Sequence, residues 1–315
     1  MGGRRRPLRV AHPSESRRVG SLLDLPSPWR KRIPSGSFCF LLLIGKAAPA
    51  AGVSGAPRIL AFAADNQLTL SIGKSVPGKG WIQPADFYIA PQPGELFTLF
   101  GVSGKLGEVT IEEKRRPNPG EAPIAWSAHI DREKTARQPY ALAIQGSWPD
   151  SEASALELAL DDPHAVHIAA EFLKRHGLKV EAPYLTQAYE VDLDGDGQPE
   201  TVLCAHSDLK ALTNDKPGDI YAVALVHGGG PGREKTIALA SQISHKPAWQ
   251  TTDEHKQFYG KRDFFRLVAF DDINGDGKRE MVLYRAKEGA TQVDVFTYDG
   301  RRVRKVLSSY KAHYQ

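Results

Sequence analysis

Tyr189-Glu-Val-Asp-Leu-Asp-Gly-Asp-Gly-Gln-Pro-Glu-Thr-Val-Leu-Cys-Ala205 decides how the second half of the chain folds. Its two ends are apolar and β-branched, as strands are, and an acidic loop joins them. The same order returns in Arg266-Leu-Val-Ala-Phe-Asp-Asp-Ile-Asn-Gly-Asp-Gly-Lys-Arg-Glu-Met-Val-Leu-Tyr284. The loops begin at Asp192 and Asp272, an offset of 80 residues. Ile220–Val226, a glycine-rich turn and Thr236–Leu239 follow the first loop. Val293–Tyr298, an Asp299-Gly300 turn and Val303–Val306 follow the second. Asp-Gly is a strong hairpin signal, so each unit predicts a four-stranded antiparallel sheet with the acidic loop between its first two strands. Segment 206–218 and the turn Gly228-Gly-Gly-Pro-Gly232 are expected to be the flexible parts.

Oxygen side chains stand at positions 1, 3, 5 and 9 of each loop, with Gly at positions 4 and 6. In the first loop they are Asp192, Asp194, Asp196 and Glu200, with the Gln198 carbonyl at position 7. In the second they are Asp272, Asn274, Asp276 and Glu280, with the Lys278 carbonyl at position 7. Carboxylates crowded in this way repel one another unless a hard cation lies among them, and an all-oxygen set suits Ca²⁺. One ion per loop, up to two in all, is the expectation. The second loop has one anionic ligand fewer and carries Lys278 and Arg279, so it should bind more weakly. An EF-hand is excluded, because position 12 is Leu203 or Leu283 instead of a bidentate acid and the flanks are strand-like. A dockerin, with closely spaced loops followed by helices, is excluded too.

The unit strand–Asp-x-(Asp/Asn)-x-Asp-Gly-x-x-acid–strand resembles the FG-GAP (VCBS-type) repeat of integrin α-chain propellers and of many bacterial secreted proteins. The resemblance covers about residues 184–308. It departs from the family at position 9, usually Asp, where this chain has Glu200 and Glu280. It implies two propeller-blade-like calcium-binding units in a C-terminal domain, residues 184–315. A closed propeller needs at least about four blades. Two units therefore imply a fragment packed on the rest of the chain or paired with another copy.

Upstream, residues 51–150 read as a β-sandwich-like domain, so the fold class is mainly β. Short runs such as Arg58–Ala63, Gln67–Ile72, Phe87–Ala90, Glu95–Phe100, Glu108–Glu112, Ile124–Ile130 and Tyr140–Ile144 alternate with Gly/Pro turns. Residues 151–183 form a helical linker. Asp162 and Pro163 open a helix over about 163–176, with Val166, Ala169, Ala170 and Leu173 on one face and Gly177 as its stop.

The formal charge of +4 belongs to the leader. Residues 1–50 hold ten Lys/Arg against two acids, which leaves 31 basic and 35 acidic residues in the body. A mildly acidic body disfavours nucleic acid as a partner. Arg30-Lys-Arg32, the apolar run Phe38–Ile44 and Ala48-Pro-Ala50 have the order of a signal peptide behind a basic disordered segment. Cleavage near Ala50 would give a secreted, periplasmic or cell-envelope protein with no transmembrane helix. Two cysteines, Cys39 and Cys204, rule out a disulfide framework.

Other motifs lead nowhere. His227-Gly-Gly-Gly230 lacks the Gly-x-Ser-x-Gly elbow that an esterase needs, and Ser71-Ile-Gly-Lys74 lacks its companion motifs. His164, His167 and Glu171 share a helix face with Lys174, as on a solvated stripe. Arg301-Arg-Val-Arg-Lys305 reads as charge protecting a sheet edge. The best-supported function is an exported, non-catalytic calcium-binding module that contacts an unknown protein or glycan, with self-association possible through open sheet edges. The alternative is a secreted hydrolase drawing on Asp86, Glu95, His129 and Asp131.

Overall fold

Strand β1 (Arg58–Ala64) shows why the first half has so little polar alternation. Ile59, Ala61 and Ala63 point into one apolar cluster, while Leu60, Phe62 and Ala64 point into another. A strand buried on both faces needs an unbroken apolar run. The computed structural model describes residues 58–64, 67–76, 80–83, 92–113, 126–128, 139–148, 155–207, 220–229, 234–244, 263–287 and 289–312. The leader with Cys39, the predicted strand Phe87–Ala90, and Asp86, His129 and Asp131 lie outside the described residues.

Six further strands join β1: β2 (Gln67–Val76), β3 (Gly80–Ile82), β4 (Leu96–Gly101), β5 (Gly104–Glu113), β6 (Trp126–Ala128) and β7 (Tyr140–Gln145). They make one antiparallel sheet in the order β1-β7-β4-β5-β6-β2-β3, and β2 pairs again with β1. In place of the two packed sheets of a sandwich, this half is one sheet that folds round so that β1 pairs with both β7 and β2. Leu68, Phe97, Leu99, Val109 and Ile111 join the inner residues of β1 in its cluster.

The repeats follow as two sheets. Strands β9 (Leu185–Val191), β10 (Glu200–His206), β11 (Ile220–Gly228) and β12 (Lys235–Ser244) form the first, extended at its β9 edge by the short β8 (Leu156–Glu157). Strands β13 (Phe264–Asp271), β14 (Glu280–Lys287), β15 (Ala290–Tyr298) and β16 (Val303–Ala312) form the second. Both are simple antiparallel meanders. Val191, Val202, Ala224 and Val226 of the first sheet meet Phe265, Leu267, Met281, Leu283 and Phe296 of the second in one buried cluster.

Each outer face of this pair is covered. Val268, Val282, Val293 and Val295 of the second sheet pack against Leu60, Phe62, Ile72 and Leu142 of the N-terminal sheet. Helix α1 (Pro163–Arg175) covers the first sheet, setting Ile168, Phe172 and Leu173 on Leu203, Val223 and Leu225. The described residues are therefore stacked as helix, sheet, sheet and folded-over sheet, with α1 on one face of the two-sheet stack and the N-terminal sheet on the other.

Helix α1 is capped as its sequence demands. The Asp162 carboxylate accepts from His164 N (3.0 Å) and Ala165 N (2.9 Å), and Pro163 occupies the first turn. Gly177 has φ +84°, and Leu178 donates back to the Leu173 carbonyl, 3.0 Å away. Its buried face is Ala165, Ile168, Ala169, Phe172 and Leu173. That differs from the expected stripe, because Val166 and Ala170 lie at its margin, half-buried. No helix among the described residues is long and apolar enough to cross a membrane.

A side chain joins the repeats at equivalent positions. Gln187 Oε1 accepts from Leu267 N (2.7 Å), and its Nε2 donates to the Leu267 carbonyl (3.1 Å), 80 residues along the chain. β13 is the edge strand of its sheet, and its register with β14 keeps Leu267 opposite Leu283 and slips only beyond it. The buried Gln187 amide satisfies both Leu267 peptide groups.

Candidate metal centre

The turn from β9 into β10 is held by its own acids. Asp192 accepts from Gly195 N (2.8 Å) on Oδ1 and from Gly197 N (3.0 Å) on Oδ2. Asp194 accepts from Asp196 N (3.3 Å), and Asp196 from Gln198 N (2.7 Å). Gly195 and Gly197 take φ +75° and +85°, where an L side chain is strained, and so let alternate residues turn inward. Glu200 is 3% exposed at the start of β10, and its Oε2 accepts from Leu193 N (2.8 Å).

The second loop has a counterpart of each of these bonds and adds others. Asp272 accepts from Gly275 N and Gly277 N, both at 2.8 Å, and also from Asp276 N (3.0 Å). Asn274 Oδ1 accepts from Asp276 N (2.8 Å), and Asp276 from Lys278 N (2.9 Å). Glu280, 1% exposed, accepts from Ile273 N at the same 2.8 Å as its counterpart. Two segments 80 residues apart thus reach the same geometry.

The loops differ at their centres. In the first, a carboxylate oxygen from each of Asp192, Asp194 and Glu200 lies within 4.8 Å of the others. This is the one group of three such ligands found among the described residues. In the second, the Asn274 amide Nδ2 donates to Asp276 Oδ2 (3.1 Å) and Glu280 Oε1 (2.8 Å). Its N–H groups stand between two carboxylates and offset their repulsion. For Asn274 to offer an oxygen inward, the amide must turn over.

The electrostatic cost of this crowding falls on the buried glutamates. Burial first, and then Asp194, Asp192 and Asp196, push Glu200 up to about 7. Burial and then Asp276 and Asp272 push Glu280 up to about 9. Asp194 is raised by burial and by Asp196 and Asp192, and Asp272 chiefly by burial. Each group resists ionisation because a fixed acid neighbour or a dry wall opposes it. A divalent cation would remove that penalty.

Residues far from the loops in sequence build the walls of the first centre. A Cβ on Gly228, at the end of β11, would lie 2.3 Å from Glu200 Cγ. A Cβ on Gly300, in the β15–β16 turn, would lie 2.5 Å from Asp194 Oδ2. Tyr298 is pushed up to about 12 by burial and then by Glu200 and Asp194. Gly228 is thus a wall residue at the end of a strand, although its sequence suggests only a loose turn. The two loops also touch: Arg279 N donates to the Leu193 carbonyl (2.8 Å), and a Cβ on Gly195 would meet the Gly277 carbonyl at 3.0 Å.

The remaining candidates among the described residues form no further group of three metal ligands. Glu171 pairs with Lys174 at 3.2 Å, and the exposed His164 ring lies edge-on to His227 at 5.7 Å. Glu95 accepts from the Gln145 amide (3.0 Å). No protein-family model matches the chain, and neither a curated protein nor a solved structure matches it.

Proposed function

We propose that this is an exported, non-catalytic calcium-binding protein in which Ca²⁺ stiffens the loops of an FG-GAP-like interaction module. The observation that carries this is the meeting of Asp192, Asp194 and buried Glu200 around one centre, with Gly228 and Gly300 shaped to fit against them. An all-oxygen, anionic donor set fits a hard divalent cation. Asp192, Asp194, Asp196 and Glu200 with the Gln198 carbonyl would hold one ion, and Asp272, Asn274, Asp276 and Glu280 with the Lys278 carbonyl a second. The bound ions would neutralise the buried charge and fix the turns that join β9 to β10 and β13 to β14.

Extracellular calcium modules bind at about 10⁻⁴–10⁻³ M. With a dissociation constant of about 10⁻⁴ M, about 1 mM Ca²⁺ adds ~1.4 kcal/mol of stability per loop. The module would offer its surface to a protein or glycan. Calorimetric titration of the body with Ca²⁺, beside the Asp194→Ala variant, tests the proposal. Saturable binding that the variant loses from one site supports it. Absence of binding at millimolar Ca²⁺ would falsify it.

A further inference from the structure

The β15–β16 hairpin of the second repeat reaches the first centre at two points. Gly300 is one, since a Cβ there would lie 2.5 Å from Asp194 Oδ2. Tyr298, two residues earlier, is the other. A Cβ on Gly228 would meet the Tyr298 hydroxyl oxygen at 3.1 Å and Glu200 Oε1 at 3.2 Å, so both oxygens lie against the same small residue.

Tyr298 is 3% exposed, and its side chain belongs to the apolar cluster between the two repeat sheets. Its hydroxyl makes no hydrogen bond among the described residues. A buried tyrosine O–H usually finds a partner. Burial, and then the charges of Glu200 and Asp194, keep this one a neutral phenol up to about 12. A neutral phenol offers lone pairs as well as a proton. The two loops differ here as well. Glu280 Oε1 is taken by the Asn274 amide at 2.8 Å. In the first loop Leu193 N engages Oε2 of Glu200, and Oε1 stays on the side of Gly228 and Tyr298.

The geometry points to Tyr298 as a ligand of the first centre: its hydroxyl oxygen joins Asp192, Asp194 and Glu200 on one divalent cation, which is then held by both repeats. The inference rests on the calcium-binding function proposed above and adds a neutral oxygen from the other repeat to its donor set. Ca²⁺ takes six to eight oxygens, neutral ones included. With a donor from the second repeat, the ion clamps one sheet to the other as well as stiffening a turn.

Tyr298→Phe tests this, because it removes one oxygen and keeps the ring. With chelator the variant should melt together with wild type, since the hydroxyl has no hydrogen bond to lose. Calcium affinity is read by calorimetry in the full chain carrying Asp276→Ala, which leaves the first loop alone. There Tyr298→Phe should weaken binding about fivefold, the loss of one neutral contact. Tb³⁺ in place of Ca²⁺ gives a second readout, because luminescence lifetimes in H2O and D2O count the waters on the ion. Tyr298→Phe should show about one more water than its parent, as solvent takes the vacated position. An unchanged water count or an unchanged affinity overturns the inference and leaves the calcium reading standing. So does a variant that already melts lower in chelator, which would make the hydroxyl a structural group. Absence of any calcium response in wild type overturns the metal reading, and this inference falls with it.

Discussion

Leu193 in the first loop accepts a backbone hydrogen bond from Arg279 in the second, N to O 2.8 Å. Leu193 also donates to Glu200, and Arg279 immediately precedes Glu280. The two candidate centres therefore share a peptide link that passes through the buried glutamate side of each. This bond is a direct route by which ordering one loop would bias the other.

Coupled calcium binding is the first expectation. Asp276→Ala should abolish binding in the second loop and weaken the first about fivefold, a coupling of ~1 kcal/mol. Asp194→Ala should do the same in reverse, since linkage is reciprocal. Calorimetric titrations of wild type and both variants measure this. Unchanged affinity at the remaining site in both variants would rule out communication between the loops.

The raised glutamates set a pH dependence of opposite sign to ordinary acid denaturation. A carboxyl with a higher pKa folded than unfolded binds its proton more tightly in the folded state. For Glu200 and Glu280 that stability is fully present below their ordinary 4.5. It is lost as pH rises through about 7 and then about 9. The chelated protein should therefore melt at falling temperatures from pH 5 to pH 9. Saturating Ca²⁺ should flatten the profile and release protons on binding. Glu280→Gln should flatten the upper part without calcium. A chelated protein whose stability rises over this range would contradict the assignment.

Gln187 spans the two sheets with hydrogen bonds to both peptide groups of Leu267. Gln187→Leu keeps the volume but leaves a buried N–H and C=O without these bonds. The expected loss is about 2–6 kcal/mol in denaturant unfolding, from about 1–3 kcal/mol for each of the two unsatisfied groups. A loss under about 0.5 kcal/mol would mean that the sheets hold together by apolar contact alone.

The repeat, its loops and the helix boundaries were legible in the sequence because local rules settle them. Asp192 and Asp272 need only their own loop N–H groups, and the positive φ of Gly195 and Gly197 follows from a nine-residue pattern. The walls of the first centre were not legible. Gly228 reaches Glu200 only because the β10–β11 ladder pairs Thr201 with His227, and Gly300 reaches Asp194 only through the packing of two sheets. The return of β2 onto β1 is equally non-local, and the apolar run Ile59–Ala64 is silent on which partner each face meets.

Gly300 offers a test of that packing. Gly300→Ala meets both backbone strain, at φ +80°, and a contact of 2.5 Å with Asp194 Oδ2. Gly94→Ala meets strain alone, since φ is +86° and nothing lies within 4 Å of the added Cβ. Both should cost about 1 kcal/mol of stability. Only Gly300→Ala should also weaken calcium at the first loop, about tenfold, by displacing a ligand. Equal calcium affinity in the two variants would remove Gly300 from the site.

Asn274 separates the two loops most sharply. Its amide nitrogen holds Asp276 and Glu280 together by hydrogen bonds, a role that needs a donor. Asn274→Asp replaces that donor with a fourth carboxylate, the set already present in the first loop. Without metal the variant should lose about 1–3 kcal/mol, because Glu280 is buried and would face a third like charge. With Ca²⁺ the sign reverses: one more anionic ligand should tighten the second loop about tenfold. Melting curves with chelator and with millimolar Ca²⁺ therefore move in opposite directions from wild type. A variant destabilised equally in both conditions would show that position 274 faces no cation.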